Sequence, residues 1–291
     1  MKIIDTTTYF EEDLMMDLRF NILNSHVDYF IVCESRFSHS GVEKEIKFNK
    51  KNFPKFEEKI IHAVVDKEPD EIIKKNNLNY SELRHNSVLR IKQQRNFIKK
   101  HLNDFSSDDY VIHSDNDEIP NLENFDLKKN KNKIIIFNQK LFYYKFDLLL
   151  PNINWYGSKA CKLKNLKNID LLRATKNKNY PFYRLDTLFS DIKHQGVNIV
   201  SDGGWHFSNL KSIDELQRKF LNDENHSEYE AQGYTIDRIK ENIKNKSIDY
   251  NHEAKQDSVD RFSSSKLKKI NKELLPSYIK KNFEKYKTWF D

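Results

Sequence analysis

Cysteine and glycine are both scarce in this chain of 291 residues, which has two cysteines and six glycines. Cys33 and Cys161 each stand among apolar residues, and this predicts buried free thiols in a reducing compartment rather than a disulfide framework. The glycines form neither a G-x-x-x-x-G-K-S/T loop nor a G-x-G-x-x-G fingerprint, and no G-x-S-x-G segment occurs. Any phosphate that the chain binds must therefore be held by cations, and covalent acyl chemistry has no support.

Long apolar runs are missing as well. The amino-terminal segment MKIIDTTTYFEEDL lacks the apolar core of a signal peptide. No run approaches the roughly 20 apolar residues that span a bilayer. We therefore expect a cytoplasmic protein without a transmembrane segment.

Charged and aromatic side chains are abundant, at 32% and 13% of the chain, and the net charge is +6. The aromatic content is enough for a packed core and argues against disorder. Basic stretches interleaved with aromatics, such as FYYKF at 142–146, leave a nucleic-acid-binding module as one alternative. That alternative leaves the acidic cluster described below unexplained, because carboxylates repel phosphates.

Strand and helix patterns alternate through the first half of the chain. Helices are predicted at 11–23 and 81–102, the second capped by Ser81. Two strands joined by a tight turn at Asn138-Gln139 are predicted at 134–137 and 140–146. Further strands are predicted at 2–10, 29–33, 60–65 and 110–112. The alternation predicts an α/β fold with a mostly parallel central sheet flanked by helices, plus a helical C-terminal extension.

An acidic cluster, HSDNDEIP at 113–120, follows the strand pattern that ends at Ile112. Asp115 and Asp117 should lie just past the carboxyl end of that strand, where open α/β sheets bind ligands. Two carboxylates one residue apart can share a hard cation such as Mg²⁺ or Mn²⁺. The alternative is a turn in which both side chains bond the local backbone.

Arg95 lies on the apolar stripe of the helix that precedes this cluster, together with Val88, Ile91, Ile98 and Leu102. A buried arginine must be paired or reach an anion, because an unpaired buried charge costs several kcal/mol. Arg95 is therefore predicted either to point toward the Asp115 pocket or to form a structural ion pair.

A second compact cluster, SDGGWHFS at 201–208, contains two of the six glycines. The glycine pair predicts a close approach of the backbone to a ligand. His206 would face that ligand while Trp205 and Phe207 pack away from it.

Several segments together resemble glycosyltransferase family 17 over roughly residues 1–250. The combination of D-x-D-E-I-P with G-W-H is more specific than either part. The segments that carry the resemblance are VDYFIVCES at 27–35, SG at 40–41, KIIHAVVD at 59–66, QQR at 93–95, HSDNDEIP at 113–120, GGWHFS at 203–208 and HSEY at 226–229.

The resemblance implies a GT-A-like domain over 1–250, followed by a basic helical extension over 251–291 packed on it. It also implies a UDP-sugar donor, UDP-N-acetylglucosamine being the first expectation, a glycan acceptor and inverting transfer. With this activity, Asp117 would bind Mn²⁺ or Mg²⁺, assisted by Asp115, with His206 as a further ligand. The residues expected to bind the donor are Glu34, Arg95, Asp115 and Trp205.

Inverting transfer needs a carboxylate that deprotonates the acceptor hydroxyl. Asp202, beside the glycine pair, is the first candidate for this base, and Asp186, Glu228 and Glu34 are alternatives. Asp202 equally suits a residue that only closes the turn.

Two further hypotheses remain open. Carboxylates with a histidine also serve two-metal phosphodiesterases and nucleases, although one Asp-x-Asp and one distant histidine provide few ligands for two metals. The basic tail, with Leu274, Tyr278, Ile279 and Phe283 among lysines, predicts a terminal helix docked on its own domain, with peripheral contact to the inner face of a membrane as the alternative.

Overall fold

A computed structural model of the chain describes residues 1–223, 226, 229, 235–252 and 263–291. These residues form one large mixed sheet with helices on both faces and a small two-stranded sheet. The strands are β1 Ile3–Tyr9, β2 Tyr29–Ser35, β3 Ile60–Val65, β4 Tyr110–Ser114, β5 Glu118–Pro120, β6 Ile134–Tyr143, β7 Leu148–Leu149, β8 Trp155–Lys162, β9 Val197–Val200, β10 Gly204–Ser208, β11 Ser247–Ile248, β12 Ser265–Lys266 and β13 Lys268–Lys269. The helices are α1 Asp13–Leu23, α2 Tyr80–Phe97, α3 Ile169–Ala174, α4 Ile213–Asn222, α5 Ile236–Lys244, α6 Ser277–Lys281 and α7 Phe283–Tyr286.

The amino-terminal half of the sheet is parallel, in the order β3-β2-β1-β4. β8 joins it antiparallel to β4 and also pairs with β6, which carries β9 and β10 in parallel and β7 antiparallel. The predicted α/β fold with a mostly parallel central sheet is confirmed. Because β1, β2 and β4 are parallel, their carboxyl ends meet at one edge of the sheet.

α1 covers one face of the sheet through apolar residues spaced at helical intervals. Met16, Phe20 and Leu23 are fully buried. The Phe20 ring meets the Phe30 ring of β2 and the Phe53 ring in edge contacts, at centroid distances of 4.8 and 5.0 Å. This spacing explains why the predicted helix at 11–23 forms and which side it buries.

α2 lies on the opposite face, and its start differs from the prediction. Asn79, not Ser81, is the N-cap: its side chain accepts from the Glu82 backbone, and the Glu82 side chain accepts from the Asn79 backbone, each at 3.0 Å. This reciprocal pair satisfies two amide groups that the first helical turn leaves free, so it determines where the helix begins. The last predicted turn is a 3₁₀ helix, Ile98–Leu102.

The predicted hairpin at Asn138-Gln139 is wrong, because β6 is one continuous strand through both residues. Gln139 is buried, accepts from the Ser158 backbone at 3.2 Å and donates to Ser158 Oγ at 3.1 Å. A shift of register between Ile136 and Asn138 accommodates the polar pair. Satisfied hydrogen bonds therefore allow two turn-forming residues to continue a strand.

Cys33 and Cys161 are free and buried, as the sequence predicts. Burial raises the pKa of each thiol to about 12. Neither thiol is therefore ionised near neutral pH.

The carboxyl-terminal segment 263–291 packs on the rest of the molecule. Ile279 is fully buried, and the Tyr286 hydroxyl donates to Asp17 Oδ2 of α1 at 2.7 Å. Leu275, Ile279 and Tyr286 are therefore buried in the protein, whereas Leu274 is exposed, and the membrane contact through this tail stays a prediction. Among the described residues, no helix has the length and apolarity needed to cross a bilayer. The predicted domain limit at residue 250 stays a prediction, since 253–262 lie outside the described residues.

Candidate active site

A cavity of about 320 Å³ opens where the carboxyl ends of β1, β4 and β10 meet. Its walls include four residues that the sequence singles out: Arg95 from α2, Asp115 and Asp117 from the β4–β5 loop, and His206 from β10. Residues far apart in the chain thus converge on one cavity.

Asp115 is held by two arginines. Its Oδ1 accepts from Arg95 Nη2 at 2.8 Å, and its Oδ2 accepts from Arg173 Nη2 at 2.8 Å. Burial opposes ionisation, but the charges of Arg173 and Arg95 outweigh burial and hold the pKa of Asp115 well below its usual range. Asp115 is therefore a carboxylate whose two oxygens are both engaged by guanidinium groups.

Arg173, at the end of α3, is a residue of this site that sequence reasoning missed. It also donates to both Glu118 oxygens, at 2.6 and 3.0 Å, and to the Gly157 carbonyl. α3 is only 6 residues long. The one local signal is its apolar spacing, because Ile169 and Leu172 are buried and lie on one face of the helix. That spacing does not indicate what Arg173 contacts.

Glu118 fixes the loop that carries the two aspartates. It is fully buried and accepts from Trp155 Nε1 at 2.8 Å and from the Asp115 backbone at 3.1 Å, besides Arg173. On the other face of the sheet, Arg19 of α1 donates to the Glu118 carbonyl at 2.6 Å. Glu118 therefore has a structural role, and the loop is held from both faces.

Asp117 and His206 form the second pair in the cavity. His206 Nε2 lies 3.2 Å from Asp117 Oδ2, and the Asp117 carbonyl accepts from the Phe207 backbone at 2.8 Å. Burial raises the pKa of Asp117, but His206 and then Lys219 counteract it, so the pKa lies below its ordinary value. The Trp155 ring packs against His206 with centroids 4.5 Å apart.

The glycine pair before His206 serves the packing of strands. Gly204 has a φ of +127°, and a Cβ at this position would collide with the Ile119 carbonyl of β5. A Cβ at Gly203 would collide with the backbone of β6 at Phe137 and Asn138. The glycines therefore let β10 enter between β5 and β6, which differs from the predicted close approach to a ligand.

Asp117 and His206 fit two positions around a divalent cation. Two neighbouring ligands of an octahedral cation with bonds of about 2.1 Å lie about 3 Å apart, close to the separation of their facing atoms. Each oxygen of Asp115 already accepts from an arginine, so a cation bound there would share that oxygen with a guanidinium group, and a direct role of Asp115 as a ligand stays a prediction. Over the described ranges, no group of three or more His, Cys, Asp or Glu residues is arranged to hold a metal ion.

Glu34, expected to bind the donor, instead organises a loop. It lies at the end of β2, is fully buried, and its oxygens accept from the backbones of Lys47 and Phe48, each at 2.9 Å, and from Lys44 Nζ at 2.5 Å. Burial raises the pKa of Glu34, but these contacts and His62 outweigh it and keep the pKa below its usual value. Both oxygens therefore face the 36–48 loop.

The structure does not bring three other predicted residues into the cavity. Asp202 precedes β10 at the end away from the cavity, is exposed and pairs with Lys140. Trp205 points to the face of β10 opposite His206, where its Nε1 donates to the Leu274 carbonyl at 2.6 Å. Asp186 is exposed and pairs with Arg184 at 2.8 Å and Lys193 at 2.9 Å. Glu228 lies outside the described residues.

Two carboxylates that the sequence did not single out also line the cavity, Glu12 and Asp223. Glu12 accepts from the Phe10 backbone at 2.8 Å and pairs with Lys211 at 3.2 Å. Burial raises the pKa of Glu12, but Lys211 and the Phe10 amide outweigh it and lower that pKa. Asp223 lies directly after α4.

The comparisons with known proteins concern the whole chain. The sequence model of glycosyltransferase family 17 matches residues 1–290. One similar solved structure is a glycosyltransferase involved in the glycosylation of the major capsid of PBCV-1, with 11% identity, 69% of this chain and 81% of that chain covered, and a TM-score of 0.30. Another is HddC from Yersinia pseudotuberculosis, with 7% identity, 69% and 91% covered, and a TM-score of 0.32. No curated protein sequence matches the chain.

Proposed function

This chain belongs to glycosyltransferase family 17, and we propose that it transfers a sugar, N-acetylglucosamine first of all, from a UDP-sugar donor to a glycan acceptor with inversion at the sugar. The observation that carries the proposal is the convergence of the Arg95–Asp115 and Asp117–His206 pairs on one cavity. A volume of about 320 Å³ lies within the range of small-ligand sites.

The charges around the cavity support a role for a divalent cation. Its described walls carry four carboxylates and two cationic side chains: Glu12, Asp115, Asp117 and Asp223 against Arg95 and Lys219. Arg173 and Lys211, which pair with Asp115 and Glu12 from just outside these walls, bring the charges into balance, so the cavity has no net positive charge to offset a diphosphate. We propose that Asp117 and His206 hold Mn²⁺ or Mg²⁺, whose charge neutralises the diphosphate of the donor as it leaves.

Other residues of the chain would position the donor. Arg95 reaches the cavity from α2 and adds a guanidinium that can bind a phosphate oxygen. Arg173 and Glu118 would keep Asp115 oriented, and Asp115 would accept a donor hydroxyl or a water rather than bind the cation directly. Trp155, which packs on His206 and lines the cavity, supplies an apolar wall for a ring.

The acceptor base is proposed to be Asp223. Proton transfer needs a carboxylate within reach of the acceptor hydroxyl, and Asp202 and Asp186 lie outside the cavity. Asp115 and Asp117 are assigned above to the donor and the cation, and Glu12 is buried, whereas Asp223 is half-buried and so more accessible to an acceptor. Asp223 lines the cavity on the side of α4.

A second cavity of about 280 Å³ supports an approach for the acceptor. It shares Asn116 and Asp117 with the first cavity, so a saccharide in it would lie beside the donor site. Trp289 and Glu215 are among its walls, and an aromatic ring with carboxylates is a suitable surface for sugar hydroxyls and apolar sugar faces.

No observation on the described residues favours the phosphodiesterase alternative or the nucleic-acid-binding alternative. Two-metal hydrolysis requires more ligands than Asp117 and His206 supply in the described part of the chain. The carboxylate-rich walls of the cavity oppose a bound nucleic-acid backbone.

Thermal shift with UDP and Mn²⁺ tests the donor site. We expect UDP with Mn²⁺ to raise the melting temperature, and UDP or Mn²⁺ alone to raise it much less. Asp117→Ala should abolish the joint effect, and Asp202→Asn, a change outside the cavity, should keep it. Equal shifts with and without metal would contradict the proposal.

Sugar transfer tests the base separately from the donor site. Asp223→Asn should keep the UDP and Mn²⁺ shift but lose hydrolysis of UDP-N-acetylglucosamine and transfer to a glycan acceptor by about 100-fold or more. If the variant keeps normal turnover, another carboxylate is the base.

A further inference from the structure

One segment between α3 and β9 displays large apolar side chains to solvent. The five most exposed large hydrophobic side chains of the described chain all lie in residues 180–189, which we call the apolar loop. Their exposed fractions are 85% for Phe182, 68% for Tyr183, 68% for Leu185, 71% for Leu188 and 91% for Phe189. Exposed apolar clusters of this kind mark interaction surfaces in folded proteins.

The backbone of the apolar loop is held in place by polar contacts beneath it. Thr187 is buried, and its hydroxyl donates to the Arg184 carbonyl at 2.6 Å. Gln195 Nε2 donates to Thr187 Oγ1 at 2.9 Å and to the Phe182 carbonyl at 3.2 Å. The apolar side chains therefore point outward from a backbone with a defined shape.

Asp186, one of the sequence-based candidates for the acceptor base, also supports the backbone of the apolar loop. It accepts from Arg184 Nε and Nη2 at 2.8 and 2.9 Å, and from Lys193 Nζ at 2.9 Å. The contact with Lys193 ties the loop to the segment that follows it, and Arg184 and Lys193 place two cations at Asp186 within the apolar loop.

Further cations flank the apolar loop. Lys176 and Lys178 are exposed just before it, and Lys178 Nζ lies 5.7 Å from the centre of the Tyr180 ring. Arg184 lies over the same ring at 5.6 Å. From 176 to 195 the chain has four lysines or arginines and two aspartates, so this surface carries a positive charge.

We propose that the apolar loop inserts into the interface of an anionic lipid membrane. Phe182 and Phe189 are the two most exposed of the five side chains, and the only described ring contact within the five joins Phe182 and Tyr183, at 5.7 Å. Protruding aromatic and leucine side chains suit a fluid phase that closes around each of them, whereas a protein partner would need matching pockets. The flanking lysines and arginines would then lie at the level of the lipid headgroups, where anionic lipids attract them.

This inference does not depend on the proposed donor or acceptor, because membrane binding is measured without either. It also places the contact in a different segment from the basic carboxyl-terminal tail, in which Ile279 and Tyr286 are buried in the protein.

Vesicle co-sedimentation tests the proposal with the full chain. We expect the protein to bind vesicles of phosphatidylcholine and phosphatidylglycerol, to bind pure phosphatidylcholine vesicles more weakly, and to lose binding at high salt. Phe182→Ser with Phe189→Ser should lower the partition coefficient at least about tenfold, because each ring contributes buried apolar area. Val42→Ser, which changes another exposed hydrophobic residue, should have no effect.

A charge-reversal pair separates the electrostatic contribution. Lys176→Glu with Lys178→Glu should weaken binding to the anionic vesicles, while Lys50→Glu with Lys51→Glu, in the exposed segment between β2 and β3, should not. All variants should melt like the wild type, because the changed side chains are exposed.

Three outcomes would overturn the proposal. The first is a wild-type protein that does not bind anionic vesicles. The second is a doubly serine-substituted loop that binds as well as the wild type. The third is a wild-type dimer that becomes monomeric on loop substitution without any vesicle binding, which would assign the loop to a second copy of the chain.

Discussion

Asp115 and Asp117 are separated by one residue, yet they have different partners. Asp115 faces two arginines, whereas Asp117 faces His206 at 3.2 Å. The turn between β4 and β5 explains the difference, because residues i and i+2 point to the same side in a strand but not in a turn. The Asp-x-Asp motif therefore combines one carboxylate that is part of an ion-pair network with one that is suited to bind a cation.

Arg173 is predicted to be the main support of this network. Arg173→Met would leave the buried Glu118 carboxylate and Asp115 without their shared guanidinium, at a cost of about 3–5 kcal/mol in unfolding free energy. Arg184→Met, which removes an exposed ion pair with Asp186, should lower the unfolding free energy far less, because solvent screens the pair. Urea denaturation measures both, and equal losses would show that the network around Glu118 is not the support inferred here.

Lys159 should make stability depend on pH. It is buried and donates to the carbonyls of Arg173 and Thr175, and burial, with Arg173 nearby, lowers its pKa to about 7. The unfolded chain keeps the lysine protonated up to about pH 10.4, so between pH 7 and that value it binds more protons than the folded chain. The free energy of unfolding should therefore rise with pH in this window.

The expected rise is about 1–2 kcal/mol between pH 7 and 8.5. Lys159→Met should remove this contribution. The difference in unfolding free energy between wild type and variant therefore separates the effect of Lys159 from the effect of the two buried thiols. Those thiols act in the opposite direction, because their folded pKa values are raised and their contribution falls as pH increases further. Denaturation curves of both proteins at several pH values provide the measurement, and parallel profiles would contradict the assignment.

At the scale of elements, the loop after β2 depends on Glu34. Glu34→Gln replaces one acceptor oxygen by an amide group that faces backbone N–H donors at Lys47 or Phe48. We expect hydrogen exchange of these two amides to become about tenfold faster, which corresponds to the loss of one hydrogen bond. Glu45→Gln is the control, since Glu45 is exposed in the same loop. Unchanged protection in Glu34→Gln would show that the loop is held by other contacts.

The position of β10 shows how strand pairing creates the site. β10 pairs antiparallel with β5 and parallel with β6, with His206 opposite Glu118 and Leu141. This register places His206 beside the β4–β5 loop and Trp205 on the opposite face. The alternation of strand residues therefore decides which side chain reaches the cavity.

At the scale of the whole molecule, the carboxyl-terminal segment is predicted to be an integral part of the fold. Ile279→Ala should lower the unfolding free energy by about 2–5 kcal/mol, because Ile279 is fully buried in the core that includes α1. Leu274→Ala should cost less than about 1 kcal/mol, since Leu274 is 40% exposed. Guanidinium denaturation distinguishes the two variants. A small effect of Ile279→Ala would mean that the segment is only loosely attached.

Much of the fold follows from local pattern. β3 begins and ends at the predicted residues 60 and 65, and α1 ends at the predicted residue 23. These elements form where apolar period and local propensity agree. The helix start at Asn79 was missed because Asn79 and Ser81 are both suitable cap residues. The continuity of β6 was missed because Asn138-Gln139 also suits a tight turn. Only contacts with Glu82 and Ser158 decide between these alternatives.

The sequence by itself determined the α/β fold, the buried thiols, the family resemblance and the four residues that meet at the cavity: Arg95, Asp115, Asp117 and His206. Local spacing and composition carry that information, because strands, helices and ligand-bearing turns depend on nearby residues. Tertiary structure alone decided that Arg173 joins Asp115, that Glu34 holds a loop, that Trp205 faces the core and that Asp202 and Asp186 lie outside the cavity. These facts depend on strand register and on packing between segments distant in the chain, which no local pattern encodes.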